Sequence, residues 1–272
     1  MKPFTFNTTK SILSEAGAGQ RLGEIVKPVL GFRVVLVTDK GLRALGLVDP
    51  IIESLKRAGI STLIFDDVAA DPPESNILAL VEMIRGHNTT GVLAVGGGSP
   101  MDVAKVAALV ARSGESLSDI YGVNLAKGPR LPLVLVPTTA GTGSEVTPIA
   151  IITTGETEKK GVVTPLLLPD MAILDADLTL GLPPSVTAAT GIDAMVHAIE
   201  SYASASANNN PISRGLARQA LQLLGANIRE ATFNGSNREA RGAMLLGSLL
   251  AGQAFANSPV AAVHALAYPI GG

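Results

Sequence analysis

Cysteine is absent from this chain of 272 residues. That absence removes disulfides, thiolate metal ligands and cysteine nucleophiles together. Histidine is scarce as well, with only His87, His197 and His264. Charge of one sign does not dominate. The formal net charge is −2 at pH 7, and no dense Lys/Arg cluster occurs, which excludes the electrostatic footprint of a nucleic-acid binder. No uninterrupted apolar run is long enough to span a bilayer. The N-terminal MKPFTFNTTK lacks the apolar core of a signal peptide. The expectation is a cytoplasmic enzyme with no nucleic-acid or membrane partner. What the chain does have is apolar mass: 47% of its residues are hydrophobic, enough for a sizeable core in one large domain or two smaller ones.

The first half alternates two kinds of pattern. Arg33–Thr38, Ser61–Asp66, Gly91–Val95 and Leu131–Val136 read as short buried strands. Asp49–Gly59, Glu74–Gly86 and Met101–Ala111 read as helices between them. Such alternation predicts a mostly parallel sheet covered by helices. Ile149–Ile152 and Met171–Leu174 are the last strand candidates. From Leu182-Pro183-Pro184 onward only helical periodicity remains, over Val186–Ser204, Pro211–Ile228, Arg238–Asn257 and Val260–Tyr268. The predicted fold class is therefore α/β plus all-α. A parallel-sheet domain over 1–177 precedes an all-helical domain over 178–272.

Two loops are candidates for a phosphate-bearing ligand. Gly96-Gly97-Gly98-Ser99 lies between a strand and a helix, where an α/β sheet binds ligands beyond its carboxyl ends. Glycines allow close backbone approach, and the helix start offers unpaired N–H groups. Asp102, in the first turn, reads either as an acid favoured by the helix dipole or as a cofactor contact. Pro137-Thr138-Thr139-Ala140-Gly141-Thr142-Gly143-Ser144-Glu145 is the second loop, rich in small hydroxyls suited to phosphate or ribose oxygens. Asp39 ends the first strand. An acid there can hold a ribose diol and repel a 2′-phosphate, which would favour NAD over NADP; a solvated loop acid is the alternative. Gly17-Ala18-Gly19-Gln20-Arg21-Leu22-Gly23 resembles a dinucleotide fingerprint, but no clear buried strand precedes it, and it reads as a turn into the first helix.

The stretch GIDAMVHAIESY, residues 191–202, concentrates chemistry in an apolar helix. Asp193 and His197 stand four apart and so share one face. Their neighbours are apolar on nearly every side, which predicts a buried helix. A carboxylate and an imidazole there need partners. Two readings are open: a metal ion that satisfies both, or a buried Asp–His hydrogen bond. His264 sits in a second apolar stretch of the helical half. Together the three would form a mixed N/O set suited to Fe(II), Zn or Mn.

GGGSPMDVAK, PTTAGTGSE (137–145), ILDADLTLGLPP (173–184), TGIDAMVHAIESY (190–202) and HALAYPIGG (264–272) resemble the iron-containing (group III) alcohol dehydrogenases across essentially the whole chain. The resemblance implies a dehydroquinate synthase-like fold with an N-terminal dinucleotide-binding domain and a C-terminal helical domain, and a metal in the cleft between them. It implies that Asp193, His197 and His264 bind Fe(II), alternatively Zn. It implies that Gly97, Gly98, Ser99 and Asp102 hold the diphosphate of NAD, or less readily NADP. Thr138, Thr139 and Thr147 would contact phosphate, ribose or nicotinamide, Lys160 would approach the ribose, and Asp39 matches the acid of NAD-preferring members. The implied activity is hydride transfer between a primary alcohol, diol or hydroxy acid and the nicotinamide. A glycerol dehydrogenase-like or dehydroquinate synthase-like reaction is the alternative on the same fold. Small-molecule alcohols or aldehydes are the expected partners, with assembly as a homodimer or larger homo-oligomer and Arg238–Asn257 as a candidate subunit contact. In the family the chain runs further and supplies another histidine ligand. This sequence stops before it, so a C-terminally truncated member is expected, or a nucleotide-binding fragment without activity. Some relatives carry His where Tyr268 stands, and many carry Asn where Asp71 stands.

Overall fold

The computed structural model describes residues 2–155, 158–259 and 263–264. In chain order the first part comprises β1 (Ser11–Ser14), α1 (Leu22–Leu30), β2 (Arg33–Val37), α2 (Lys40–Ala44), α3 (Asp49–Arg57), β3 (Ser61–Phe65), α4 (Glu74–Gly86), β4 (Gly91–Gly96), α5 (Gly98–Ser113), α6 (Leu117–Ile120), β5 (Gly122–Val123), β6 (Leu133–Pro137), β7 (Ile149–Thr154), β8 (Glu158–Val163) and β9 (Met171–Leu174). Three long helices follow, α7 (Pro184–Ala203), α8 (Pro211–Phe233) and α9 (Arg238–Asn257).

Six strands form one parallel sheet in the order β1-β9-β6-β4-β2-β3. The central strands GVLAVG and LVLVP are buried at every position, as expected of a parallel sheet covered on both faces. Val34, Leu36, Leu93, Val95, Val134 and Val136 pack with α1 and α3 on one face. Val35, Val37, Val92, Ala94, Leu133 and Leu135 pack with α4 and α5 on the other. The alternation follows from the two-residue period of a strand.

Three strands escaped the sequence pattern: β1, β8 and the two-residue β5. β1, SILS, lies at the sheet edge and is largely exposed, so it carries no apolar run. It does precede Gly17, but Gly17 turns the chain at φ 78° into a 3-10 turn rather than opening a long helix. β8, EKKGVV, begins with three charged residues and is held by antiparallel pairing to β7 in a separate sheet with β5.

The chain divides into two compact units. One comprises Thr9–Thr138 and Pro148–Leu178, and holds both sheets. The other gathers the described residues of Met1–Thr8, Thr139–Thr147 and Thr179–Gly272. The chain passes from the sheet-bearing unit to the other after Leu178, and the loop Thr139–Thr147 groups with the helices. The reason is close packing. A Cβ on Gly143, whose φ is 61°, would lie 2.6 Å from Gly252 Cα of α9. The N-terminal residues join through side-chain amides that act as strand partners. Asn257 Oδ1 accepts from the Asn7 N–H, and its Nδ2 donates to the Asn7 carbonyl.

Within the helical unit, α9 is the core helix. No residue from Ala240 to Asn257 is exposed, while Arg238 and Glu239 at its start are. An apolar helix packed all round is an interior one. α7 departs from expectation the other way. It buries Ala194, His197, Ala198, Glu200 and Ser201 but leaves Ile192, Ile199 and Tyr202 about half exposed. Composition told how apolar this helix is, not which faces are covered. No helix among the described residues is long and apolar enough to cross a membrane.

Candidate metal centre and nucleotide-binding strand ends

The helical unit brings Asp193, His197 and His264 together. One donor atom from each lies within 4.8 Å of the others. His197 Nδ1 is 3.9 Å from Asp193 Oδ2, and His264 Nε2 is 3.8 Å from Asp193 Oδ1. Both distances exceed a hydrogen bond, so the buried Asp–His hydrogen bond left open by the sequence does not form. The His197 ring is stacked between Phe255 and the His264 ring, each with centroids 4.4 Å away. Its Nδ1 is buried and has no hydrogen-bond partner. Buried polar atoms are normally satisfied, and an orphan of this kind calls for a ligand.

The two histidines are shifted in opposite directions. Burial, helped by the neighbouring His264, pushes the His197 pKa down against the pull of Asp193. The ring is therefore neutral at pH 7 and keeps a lone pair to donate. His264 is pushed the other way, by the Asp193 carboxylate first and by Glu200 as well, against the effect of burial. One carboxylate oxygen and two imidazole nitrogens make a donor set that fits Fe(II) or Zn. Apart from 263 and 264, the expected helix Val260–Tyr268 lies outside the described residues, as do Tyr268 and the rest of the 264–272 motif.

Sequence reasoning missed Glu200. It stands seven residues after Asp193 and three after His197, on the same face of α7, and it is 6% exposed. Its Oε1 accepts from the Val263 N–H at 2.7 Å, and its Oε2 meets His264 Nδ1. The signal was available: a further acid at i+7 in an apolar helix falls on the face that already carries an acid and a histidine.

In the sheet-bearing unit, Asp39, Gly97 and Thr138 follow the carboxyl ends of the adjacent strands β2, β4 and β6. The chain turns from β2 outward to β3 and then returns to β4 on the other side of β2. That reversal is the switch point where open α/β sheets bind ligands. Gly97 precedes the first turn of α5, and the Thr138 N–H donates to the Gly96 carbonyl. Glycine at 96 is required by Pro100, whose Cγ would lie 2.6 Å from an added Cβ.

Three candidates of this group have internal work. The Ser99 hydroxyl donates to the Ala70 carbonyl. Asp102 Oδ2 accepts from the Ile151 N–H at 2.9 Å, and Oδ1 pairs with Lys105 at 3.6 Å. Asp39 Oδ1 caps α2 by accepting from the Leu42 N–H. Lys160 lies on β8, paired with Glu158 and over the Tyr121 ring. In the helical unit, Thr139 is half-buried and Thr147 fully buried.

Residues 9–176 match the sequence model described as iron-containing alcohol dehydrogenase, and residues 187–272 match its Fe-containing alcohol dehydrogenase C-terminal counterpart. The chain belongs to the iron-containing alcohol dehydrogenase family. Long-chain-alcohol dehydrogenase 1 of Geobacillus thermodenitrificans is 44% identical over 259 residues, which is 94% of this chain and 65% of that protein. Sulfoacetaldehyde reductase of Bilophila wadsworthia is 39% identical over 264 residues, 97% of this chain and 68% of that protein. Among solved structures, a 1,3-propanediol oxidoreductase superposes with a TM-score of 0.95 at 38% identity, covering 99% of this chain and 70% of that one. Sulfoacetaldehyde reductase from Bifidobacterium kashiwanohense, solved in complex with NAD+, gives 0.91 at 31% identity, covering 99% and 71%. The chain thus spans about two thirds of the length of these relatives.

Proposed function

We propose that this chain carries the nucleotide- and metal-binding parts of an NAD-linked, metal-dependent alcohol dehydrogenase. The observation that carries the reading is the trio Asp193, His197 and His264 with a buried, unpartnered His197 Nδ1. When bound, the metal supplies Lewis acidity toward an alcohol or carbonyl oxygen, and the nicotinamide supplies the hydride acceptor or donor. The three side chains hold the cation; three protein ligands are enough for a catalytic site with an open position. Iron is the preferred metal because of the family, with zinc fitting the same donors.

The sheet-bearing unit is the dinucleotide-binding domain in this reading, and the helical unit is the metal-binding domain. Backbone N–H groups of Gly97 and Gly98 at the start of α5 receive the diphosphate. Ser99 and Asp102 shape that turn through their internal bonds and contact the cofactor less directly. Asp39 retains a second carboxylate oxygen for a ribose diol, which favours NAD over NADP. Thr138, Thr139 and Thr147 contact phosphate, ribose or nicotinamide, and Lys160 approaches the ribose. The relatives act on long-chain alcohols, a sulfonated aldehyde and a diol by name. A primary alcohol, a short diol or the corresponding aldehyde is accordingly the proposed substrate class. Cytoplasmic location and homo-oligomeric assembly complete the reading.

The test combines two measurements on the protein loaded with Fe(II) or Zn. Metal content should approach one ion per chain, and NAD should be reduced in the presence of a primary alcohol or 1,3-diol. Asp193→Ala and His197→Ala should each abolish metal retention. Retention of the ion by both variants would overturn the assignment.

A further inference from the structure

The side chain of Glu200 is the best-defined buried charge beside the trio, and nothing so far explains why it is there. It sits on α7 at 6% exposure, where an ionised carboxylate needs strong partners. It has two from one short segment: the Val263 N–H donates to Oε1 at 2.7 Å, and the adjacent His264 presents Nδ1 to Oε2. A carboxylate can only accept hydrogen bonds. His264 must therefore carry its proton on Nδ1. In the neutral ring that leaves Nε2 with the lone pair, and Nε2 is the nitrogen that faces Asp193, at 3.8 Å.

We infer that Glu200 is a positioning residue for the metal centre: its carboxylate fixes both the tautomer and the orientation of His264, so that Nε2 is held toward the cation site. The inference rests on the metal-site reading above. The arrangement carries a consequence for chain geometry too. Asp193, His197 and Glu200 are offset by four and then three residues, so one face of one helix supplies two ligands and the support of the third. Glu200 ties residues 263–264 to that helix by main chain and by side chain. A ligand from a distant part of the sequence is thereby set against two that are local. Carboxylates behind ligating histidines raise ligand basicity, and their loss typically weakens metal binding by about 10–100-fold.

The experiment has one readout without metal and one with it. In the metal-free protein, long-range proton–nitrogen correlation NMR of the imidazoles reports the tautomer of each ring. Only three histidines are present, and His264→Gln identifies the signal of interest. At a pH where the ring is neutral, the wild type should show His264 protonated on Nδ1. Glu200→Ala should move it toward the Nε2–H form, and Glu200→Gln, whose amide oxygen can still accept one bond, should fall between. Competition of zinc alone against a chromophoric chelator should then give affinities about 10–100-fold weaker for Glu200→Ala, with partial recovery in Glu200→Gln. The isosteric Gln variant keeps the comparison readable if the Ala variant fails to fold. A merely structural Glu200 would lower thermal stability without moving the tautomer. An Nε2–H tautomer in the wild type would overturn the inference. So would variants that bind zinc within twofold of the wild type. If the wild type takes up no zinc while its His264 tautomer still follows Glu200, the metal-site reading fails and the positioning of the ring stands.

Discussion

Lys105 is the residue whose environment asks most of the fold. Its side chain is fully buried, which is rare for lysine. Its Nζ donates to the Ile149 carbonyl at 2.9 Å and lies 3.6 Å from Asp102 Oδ1. Asp102 in turn accepts from the Ile151 N–H. Lysine and aspartate together thus fasten α5 to β7. Removing the cation while leaving its buried partners is costly, about 3–5 kcal/mol for a broken buried pair. Lys105→Met should therefore lower unfolding free energy by about 3 kcal/mol, measured by urea denaturation of the metal-free protein. Unchanged stability would mean the pair is compensated by rearrangement. The motif GGGSPMDVAK was legible as a strand end followed by a helix start. The internal roles of its aspartate and lysine were not, because their partners on β7 lie 49 and 44 residues away. Local spacing made Asp193 and His197 legible for the opposite reason: four residues on a helix already put two side chains on one face.

At the scale of elements, short strands paired at an edge were the least legible features. β8 carries its charges on residues that pair by backbone, and no side-chain pattern advertises that. The buried central strands were legible because burial on both faces demands an unbroken apolar run. Fastening at the ends of elements shows the same division. Asp170, just before β9, accepts from Arg130 Nη1 at 2.6 Å, from Lys10 Nζ at 2.7 Å and from the Leu133 N–H at 3.0 Å. Burial alone would raise its pKa; the bonds from Arg130, Lys10 and Leu133 outweigh that and hold it at about 2. A depressed carboxyl contributes stability that is fully present above its unfolded value, near 3.8, and is lost as pH falls through about 2. Asp170→Asn should thus cost about 1–2 kcal/mol at pH 7, allowing for partial solvent screening. The gap between variant and wild type should close as pH is lowered from about 4 to about 2. A pH series of thermal melts reads both. Packing between elements gives a second test at this scale. A Cβ on Gly252 would meet Gly143 Cα at 2.9 Å and its carbonyl oxygen at 3.0 Å. These are backbone atoms of a loop that cannot yield without moving. Gly252→Ala should therefore displace the loop Thr139–Thr147 and destabilise by about 1–3 kcal/mol. Gly191→Ala is the contrast, because its nearest neighbour at 2.7 Å is the flexible tip of Met244. It should cost less by the same measurement.

For the whole molecule, the segregation of donors decides how metal and stability are linked. Asp193, His197 and His264 all belong to the helical unit, and two of the three lie on α7. A cation that binds only the folded form adds about 2.7 kcal/mol at a hundredfold excess over its dissociation constant. For a protein of this size that corresponds to a rise of roughly 5–10 °C in the melting temperature. The gain enters through the helical unit, since the unit with the sheets contributes no donor to the trio. Hydrogen exchange can read where it goes. On saturation with zinc, peptides covering Pro184–Ala203 should become more protected, while peptides covering Gly91–Gly96 should change little. Asp193→Ala should abolish both the thermal shift and the added protection, and a chelator should reverse them in the wild type. Equal protection across both peptides would mean that the two units unfold as one cooperative block, so that metal stabilises the sheet as much as the helices. No protection in α7, with a thermal shift intact, would place the ion elsewhere and remove the trio from consideration.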